Sequence, residues 1–419
     1  SAMSDFLGLQ KSTIGVFAMV ILVGMGERMA ERFLPIYILA LGGGPLAVGL
    51  LQAMDNLLSA LYSYPGGYLS DRLGTKRALM IFNLLVLAGF APVILIPAWQ
   101  AVLAGAVLFI SWSSISLPAT MNLIFKVLPR NKRIMGASLH ALTGRIPMAT
   151  GPLLGGVFIS IWGEATGVRI AFCGALVMAV AALIFQQLMI EDDAPTFRTT
   201  QDTCDLKPEK NPVRLFALMD PAMKRLLTAD ILIRFCEQIP YAFVVIWCMK
   251  TIASPVSAVQ FGVLTTVEMV TAILIYIPVA RMADKSTRKP YVIITFVFFT
   301  LFPLFLLFSQ SYGWLMAAFV LRGLKEFGEP TRKALIMDLA PDHCRAAMFG
   351  LYYLIRDICV SLAALGGAFL WQISPQANLI TAFVFGVAGT LGFMIFGKDL
   401  IIRNTDEHPL KENTHDQHI

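Results

Sequence analysis

The sequence predicts an all-α integral membrane protein whose twelve transmembrane helices form two pseudo-symmetric six-helix bundles. Three observations lead there. The chain of 419 residues is 57% hydrophobic and only 14% charged, with a mean hydropathy of +0.70, which excludes a soluble globule of ordinary composition. Its apolar residues gather into twelve stretches, each long enough to cross a hydrocarbon core of about 30 Å. A shift of 213 positions superposes the halves: Gly49 meets Gly262, Asp55 meets Glu268, Pro65 meets Pro278 and Asp71 meets Asp284. A repeat of this kind decides architecture before any local pattern does.

The apolar stretches, taken as helices 1 to 12, lie at about 13–40, 46–70, 78–98, 101–127, 134–162, 169–190, 224–249, 256–283, 290–309, 313–337, 346–371 and 378–397. The expected division is a first bundle over 1–190, a cytoplasmic linker over 191–223, a second bundle over 224–398 and a tail over 399–419. The linker is charged and proline-bearing, and Pro212 to Arg225 predicts a short amphipathic helix on the membrane surface. The tail holds three of the five histidines and reads as disordered. The first apolar stretch is full length, which argues against a cleavable signal.

Loop charge sets the orientation. Arg72, Lys76 and Arg77, then Arg130, Lys132 and Arg133, the linker, Arg281 to Lys289, and Arg332, Lys333 and Arg345 all fall on one side. The other side has little beyond Arg169 and Lys250. Both termini are therefore expected in the cytoplasm of a multi-pass cell (inner) membrane protein. The formal charge of +6 reads as membrane orientation and not as nucleic-acid binding. Trp99, Trp162, Trp247, Trp314 and Trp371 fall near outer helix ends, as an interfacial belt would, whereas Trp112 lies midway down helix 4.

Ionisable side chains at the bilayer centre cost about 2.5–3.5 kcal/mol each even on a lenient scale, so those present point to a polar interior. Helix 1 carries Glu27, Arg28, Glu31 and Arg32, helix 2 Asp55, and helix 5 Arg145. The second half carries Asp230, Arg234 and Glu237 in helix 7 and Glu268 in helix 8. Helix 10 adds Arg322, Lys325, Glu326 and Glu329, and helix 11 Arg356 and Asp357. Helices 3, 6, 9 and 12 carry none and are therefore fit to face lipid. The seven basic and nine acidic groups nearly balance, which argues against a site for anions alone.

Spacing then suggests roles. Arg28 with Glu31 and Arg234 with Glu237 share helix faces at three-residue separation, related by a shift of 206. They are expected either as fixed ion pairs or, as the functional reading, as substrate contacts on the pseudo-two-fold axis, together with Trp112 and Arg322. Pro35 and Pro240 follow, so both helices are expected to bend nearby. Asp55 and Glu268 have no cation within four residues on their own helices and are the first candidates for carrying a proton, with Glu27 and Asp230 next. Arg145 and Arg356, each ten residues before a double glycine, are the expected coupling cations. Asp357 points about 100° away from Arg356 around the helix and is expected to be a poor partner. Arg322 with Glu326 and Lys325 with Glu329 are expected to compensate each other at four-residue spacing. Glu329 and Lys333 read as a gate or loop pair.

The loop Gly67-Tyr68-Leu69-Ser70-Asp71-Arg72-Leu73-Gly74-Thr75-Lys76-Arg77 closely resembles the signature between helices 2 and 3 of the major facilitator superfamily. The resemblance implies that Gly67, Asp71, Arg72, Gly74, Lys76 and Arg77, with Asp284 in the second copy, gate the cytoplasmic side by latching the halves together. Gly151-Pro152-Leu153-Leu154-Gly155-Gly156 is similar to the fifth-helix motif of that superfamily's antiporters, with Pro147 where a glycine stands there. Glu31-Arg32-Phe33 with Tyr37 resembles the first-helix signature of proton-coupled oligopeptide transporters, which has a glutamate where Arg28 stands. Arg322 to Arg345 resembles prokaryotic facilitators of poorly assigned substrate.

The expectation is therefore proton-coupled secondary transport of a charged or amphipathic small organic solute, with efflux by antiport leading. Symport uptake of an anionic or zwitterionic nutrient, and a non-transporting receptor on the same fold, are the competing readings. No Walker loop, nucleophile elbow or metal constellation appears, so no enzyme, metal or cofactor is expected beyond a proton gradient. The six cysteines, at 173, 204, 236, 248, 344 and 359, form no close pair and read as structural thiols. The expected partners are the solute, the proton and the bilayer, with a monomeric chain and no nucleic acid.

Overall fold

The computed structural model describes residues 11–127, 133–192, 211–283, 287–341 and 345–398. Every regular element among them is helical. Helices 2, 3, 5, 6, 8, 9, 11 and 12 each run as one helix: Pro45–Leu73, Thr75–Leu95, Arg133–Trp162, Glu164–Met189, Ala258–Ala283, Lys289–Phe308, Arg345–Ile373 and Pro375–Phe396. Among the described residues, eight helices are by length and hydropathy able to cross a membrane, and a ninth span results if two bent pieces are joined. Helix 7 starts where Asp220 accepts from the Ala222 amide at 2.7 Å, with Pro221 as its first residue. That cap ends the linker helix early, so it covers only Pro212–Ala217 and not the expected stretch to Arg225.

Helices 1, 4, 7 and 10 are all interrupted. Helix 1 runs Lys11–Glu31 and resumes as Leu34–Ala40, with Pro35 at the restart. Helix 7 runs Pro221–Tyr241 and continues from Val244 to Thr251 at an angle of 43°. Both breaks stand beside the expected prolines, which remove a backbone donor from the ladder. Helix 4 is split between Trp99–Phe109 and Trp112–Val127. Helix 10 passes through a 3-10 stretch, Leu324–Gly328, between Tyr312–Gly323 and Glu329–Leu339. Residues at or beside all four breaks, Arg32, Ile110, Tyr241 and Lys325, line one space between the halves.

Helices of one half touch the other mainly through small residues. Helix 2 lies on helix 11, and helix 5 on helix 8. A Cβ on Gly49 would overlap Ala368, and one on Gly156 would overlap the Ala258 carbonyl. Close backbone approach of this kind holds membrane helices together where apolar burial supplies little drive. The same end of the molecule carries a Lys250–Glu164 ion pair and a Thr266 hydroxyl donating to the Ala149 carbonyl at 2.6 Å. Nearer the terminal side, a Cβ on Gly144 or Gly350 would meet nothing within 4 Å. The halves are thus joined at the end opposite the termini. Helices 3, 6, 9 and 12 lie at the periphery as expected, with Leu84, Val177, Leu188, Val384 and Ile395 exposed.

Trp247 departs from the expected interfacial belt. It is buried, donates from Nε1 to the Leu306 carbonyl at 3.2 Å and meets Trp371 edge to face. The kink of helix 7 turns it inward. Trp162 and Trp314 remain exposed.

Candidate functional site

A cavity of about 290 Å³ lies between the halves at the level of the four breaks. Its wall comes from helices 1, 2, 4, 5, 7, 8 and 10, and none of the lining residues belongs to helices 3, 6, 9 or 12. Arg28, Glu31, Arg32 and Asp55 line it from the first half, and Glu237, Glu268, Lys325 and Glu326 from the second.

The two repeat-related pairs form as spaced. Arg28 donates to Glu31 at 2.9 Å, and Arg234 to Glu237 at 2.5 Å. Their surroundings then diverge. Glu237 also accepts from Lys325 Nζ at 2.5 Å, while Arg234 reaches Glu329 at 3.5 Å and rests over Phe299. Arg234 faces into its own half and does not line the cavity. Trp112 does not line it either: its Nε1 donates to Asn83 Oδ1 at 2.9 Å, and Asn83 in turn donates to Gln186. Arg322 lines an adjoining pocket that shares Glu31, Arg32, Asp55 and Tyr241 with this one, and lies 3.4 Å from Glu268, ringed by Tyr241, Phe302 and Phe319. Arg28, Glu31 and Glu237 are the expected substrate contacts that do face the space.

The 3-10 stretch overturns the expected compensation within helix 10. It tightens the turn, so residues four apart no longer share a face. Arg322 turns to Glu268, Lys325 to Glu237, Glu326 to Arg145 at 3.7 Å, and Glu329 to Arg332 at 2.8 Å. Arg332, expected among the loop cations, is fully buried and joins Asp230, which also accepts from Tyr352 at 2.8 Å. Glu329 belongs to this buried network, whereas Lys333 is exposed. Asp357, expected to be a poor partner, does bind Arg356: Nε and NH2 lie 3.0 and 2.9 Å from its Oδ1. The long guanidinium arm curls back along the helix and over Tyr353, which the angle between Cα positions does not capture. Arg356 NH1 also approaches Asp230 at 3.8 Å.

The proton candidates differ in their company. Glu268 has Arg322, and Asp230 has Arg332, Tyr352 and Arg356. Asp55 accepts a long 3.5 Å bond from Ser59, and among the described residues no cation lies within ion-pair distance of it. Glu27 is buried with no hydrogen bond or ion pair among the described residues. Among the cations on the cavity wall, Arg28 and Lys325 are paired. Arg32 has no ion pair among the described residues and lies 5.5 Å from the Tyr241 ring centre.

At the loop between helices 2 and 3, Gly74 adopts φ 88°, a left-handed region that favours glycine. Gly67 lies against Pro118, and Arg77 is exposed. Arg72 donates to Tyr68 on its own helix at 2.9 Å. Lys76 donates to the Gln187 carbonyl at 3.1 Å, and its repeat counterpart Lys289 to the Met394 and Gly397 carbonyls at 3.1 and 2.8 Å. Both lysines therefore tie the start of one helix to the carbonyl end of another within one half, where a cation is favoured. Among the described residues, neither Arg72 nor Lys76 joins the halves in this state. The Asp71 side chain and Asp284 lie outside the described residues, as do the tail and most of the linker.

A polar cavity at the centre of two helical halves, walled by broken helices, defines the class of secondary membrane transporters. A family model described as Major Facilitator Superfamily matches residues 16–253 and again 226–417. The chain belongs to the major facilitator superfamily. It is a multi-pass membrane transporter and not an enzyme. An uncharacterised MFS-type transporter of Methanocaldococcus jannaschii is 22% identical over 378 residues, covering 88% of this chain and 90% of that one. The solved nucleoside transporter NupG matches with a TM-score of 0.79 at 12% identity, over 92% of this chain and all of the other. A POT family transporter solved with 5-aminolevulinic acid matches with a TM-score of 0.76 at 12% identity, over 93% of this chain and 98% of that one. A peptide transporter POT solved with alafosfalin gives 0.73 at 17% identity, over 92% and 93%. At these identities the likeness is one of fold.

Proposed function

We propose that the chain is a proton-coupled transporter of a small organic solute bearing both an ammonium and a carboxylate, working as an exporter by exchange against protons. One observation carries the reading. Among the described residues lining the central cavity, every acid except Asp55 and every cation except Arg32 has an ionic partner. An unpaired charge away from bulk water is costly, so each invites a counter-charge from the solute. Arg32 suits a carboxylate and Asp55 an ammonium. Asp55 holds one positive partner at a time, a proton or the ammonium, and that competition makes the coupling an exchange. Neighbours of the same fold, a peptide transporter and a transporter solved with 5-aminolevulinic acid, agree with a solute of this charge type.

The Glu268–Arg322 pair supports symport uptake as a second reading. Glu268 Oε2 and Arg322 NH1 are buried with no hydrogen-bond partner, and a proton on Glu268 would release Arg322 towards a solute carboxylate.

The substrate class is tested by exchange across liposomes holding the purified protein. Leucine and alanyl-alanine would be compared with the decarboxylated amine and the deaminated acid of leucine. Only the solutes carrying both charges are expected to exchange rapidly, and Asp55→Asn or Arg32→Gln should slow them at least tenfold. Equal exchange of the amine, the acid and leucine contradicts the reading.

A further inference from the structure

A second cavity, of about 240 Å³, lies inside the first half between helices 1, 4 and 5. It shares Arg28, Ser113 and Met148 with the wall of the central cavity, so the two adjoin across those side chains. Each falls just below the usual range of small-molecule sites, about 300–1,000 Å³, and together they lie inside it. Most of the side cavity is apolar, with Val20, Leu117 and Pro147 in its wall. Its titratable groups are Glu27, Arg28 and His140. Arg28 is committed to Glu31 at 2.9 Å. Glu27 is 5% exposed, lines the cavity, and has no hydrogen bond or ion pair among the described residues.

A carboxylate buried in this way is strongly disfavoured unless something with a positive charge joins it. The apolar wall next to it suits a short hydrocarbon stem, and the same wall includes Trp112, the aromatic residue type best suited to a cation. We propose that this side cavity is a specificity pocket for a cationic arm of the transported solute, an ammonium or guanidinium on a short apolar stem, with Glu27 as its counter-ion. The inference rests on the central cavity seating the zwitterionic head at Arg32 and Asp55, and it makes dibasic zwitterions the preferred members of that substrate class.

The test uses the full chain in liposomes and two matched probe pairs, lysine against norleucine and alanyl-lysine against alanyl-norleucine. Each pair differs only in the terminal ammonium. The native protein is expected to favour the lysine member at least tenfold in exchange, and Glu27→Gln should bring that ratio to about one. Gly144 lines the same cavity, and a Cβ there would meet nothing within 4 Å. Gly144→Leu therefore fills the pocket, and should depress exchange of the long-armed probes relative to alanine and alanyl-alanine even if Glu27→Gln does not fold. Equal exchange of both members by the native protein overturns the pocket and leaves the central reading standing. Exchange of neither pair overturns both. A Glu27→Gln protein that keeps the tenfold preference but loses its response to pH would make Glu27 a proton carrier, and overturns the proposal. So does a Gly144→Leu protein with undiminished exchange of the long-armed probes.

Discussion

Asp230 shows how much a single residue's meaning depends on the chain around it. Along its own helix the nearest cation is Arg234, four residues on, yet in the folded protein Arg234 turns to Glu237 and Glu329 while Arg332 and Tyr352 both bond to the Asp230 Oδ2. Arg332 is fully buried and also holds Glu329. Removing one partner of such a network leaves an uncompensated buried charge, at a cost of about 3–5 kcal/mol. Arg332→Met is therefore expected to lower the thermal midpoint in detergent sharply, and adding Asp230→Asn should recover part of the loss. Additive losses in the double variant would show that the two side chains are not coupled. Pairs three residues apart, Arg28 with Glu31 and Arg234 with Glu237, were legible in the sequence because one turn of helix brings them together. Lys325 with Glu237, Arg145 with Glu326 and Arg332 with Asp230 were not, because tertiary packing selects those partners. An unbalanced acid inside an apolar helix was the available signal that a distant cation had to exist.

The interrupted helices place the site. Pro35 and Pro240 announced two of the four breaks. The break in helix 4, at Ile110 and Ser111, has no proline to mark it, and the 3-10 stretch in helix 10 lies between Gly323 and Gly328 without any periodic cue. That stretch is why the four-residue pairings expected in helix 10 fail. The glycine run in helix 5 is explained by packing: a Cβ on Gly155 would overlap the Met29 carbonyl, and one on Gly151 would press on Arg28. Its likeness to an antiporter motif is thus satisfied by a contact between helices 5 and 1, beside the charged turn of helix 1. Gly155→Ala is expected to cost about 1–3 kcal/mol through overpacking, read as a lower thermal midpoint. Gly350→Ala, where the added Cβ has open space, should leave the midpoint unchanged or slightly raised. Equal behaviour of the two would contradict the packing account.

For the molecule as a whole, the internal repeat made the two halves and the peripheral place of helices 3, 6, 9 and 12 legible from the sequence. The repeat did not announce where symmetry is broken, and that is where the function is read. Asp55 and Glu268 occupy corresponding positions, yet Glu268 meets Arg322 while Asp55 faces the cavity without an ion pair among the described residues. The acids that the second half presents to the cavity all have ionic partners, Glu326 taking Arg145 from the first half, and the first half presents Asp55 and Arg32 to the shared space. Alternating access would carry that space from one side to the other by rocking the halves about the contacts of helix 2 with helix 11 and helix 5 with helix 8. With one carboxylate serving proton and ammonium in turn, the sign of coupling follows: protons leaving a compartment draw solute into it. The direct measurement is accumulation of the best-exchanged zwitterion by liposomes under imposed pH gradients of either sign. An acid interior is expected to drive accumulation above equilibrium, and Asp55→Asn to abolish that drive while Glu268→Gln retains it. Accumulation driven by an alkaline interior, or undiminished drive in Asp55→Asn, would contradict the account.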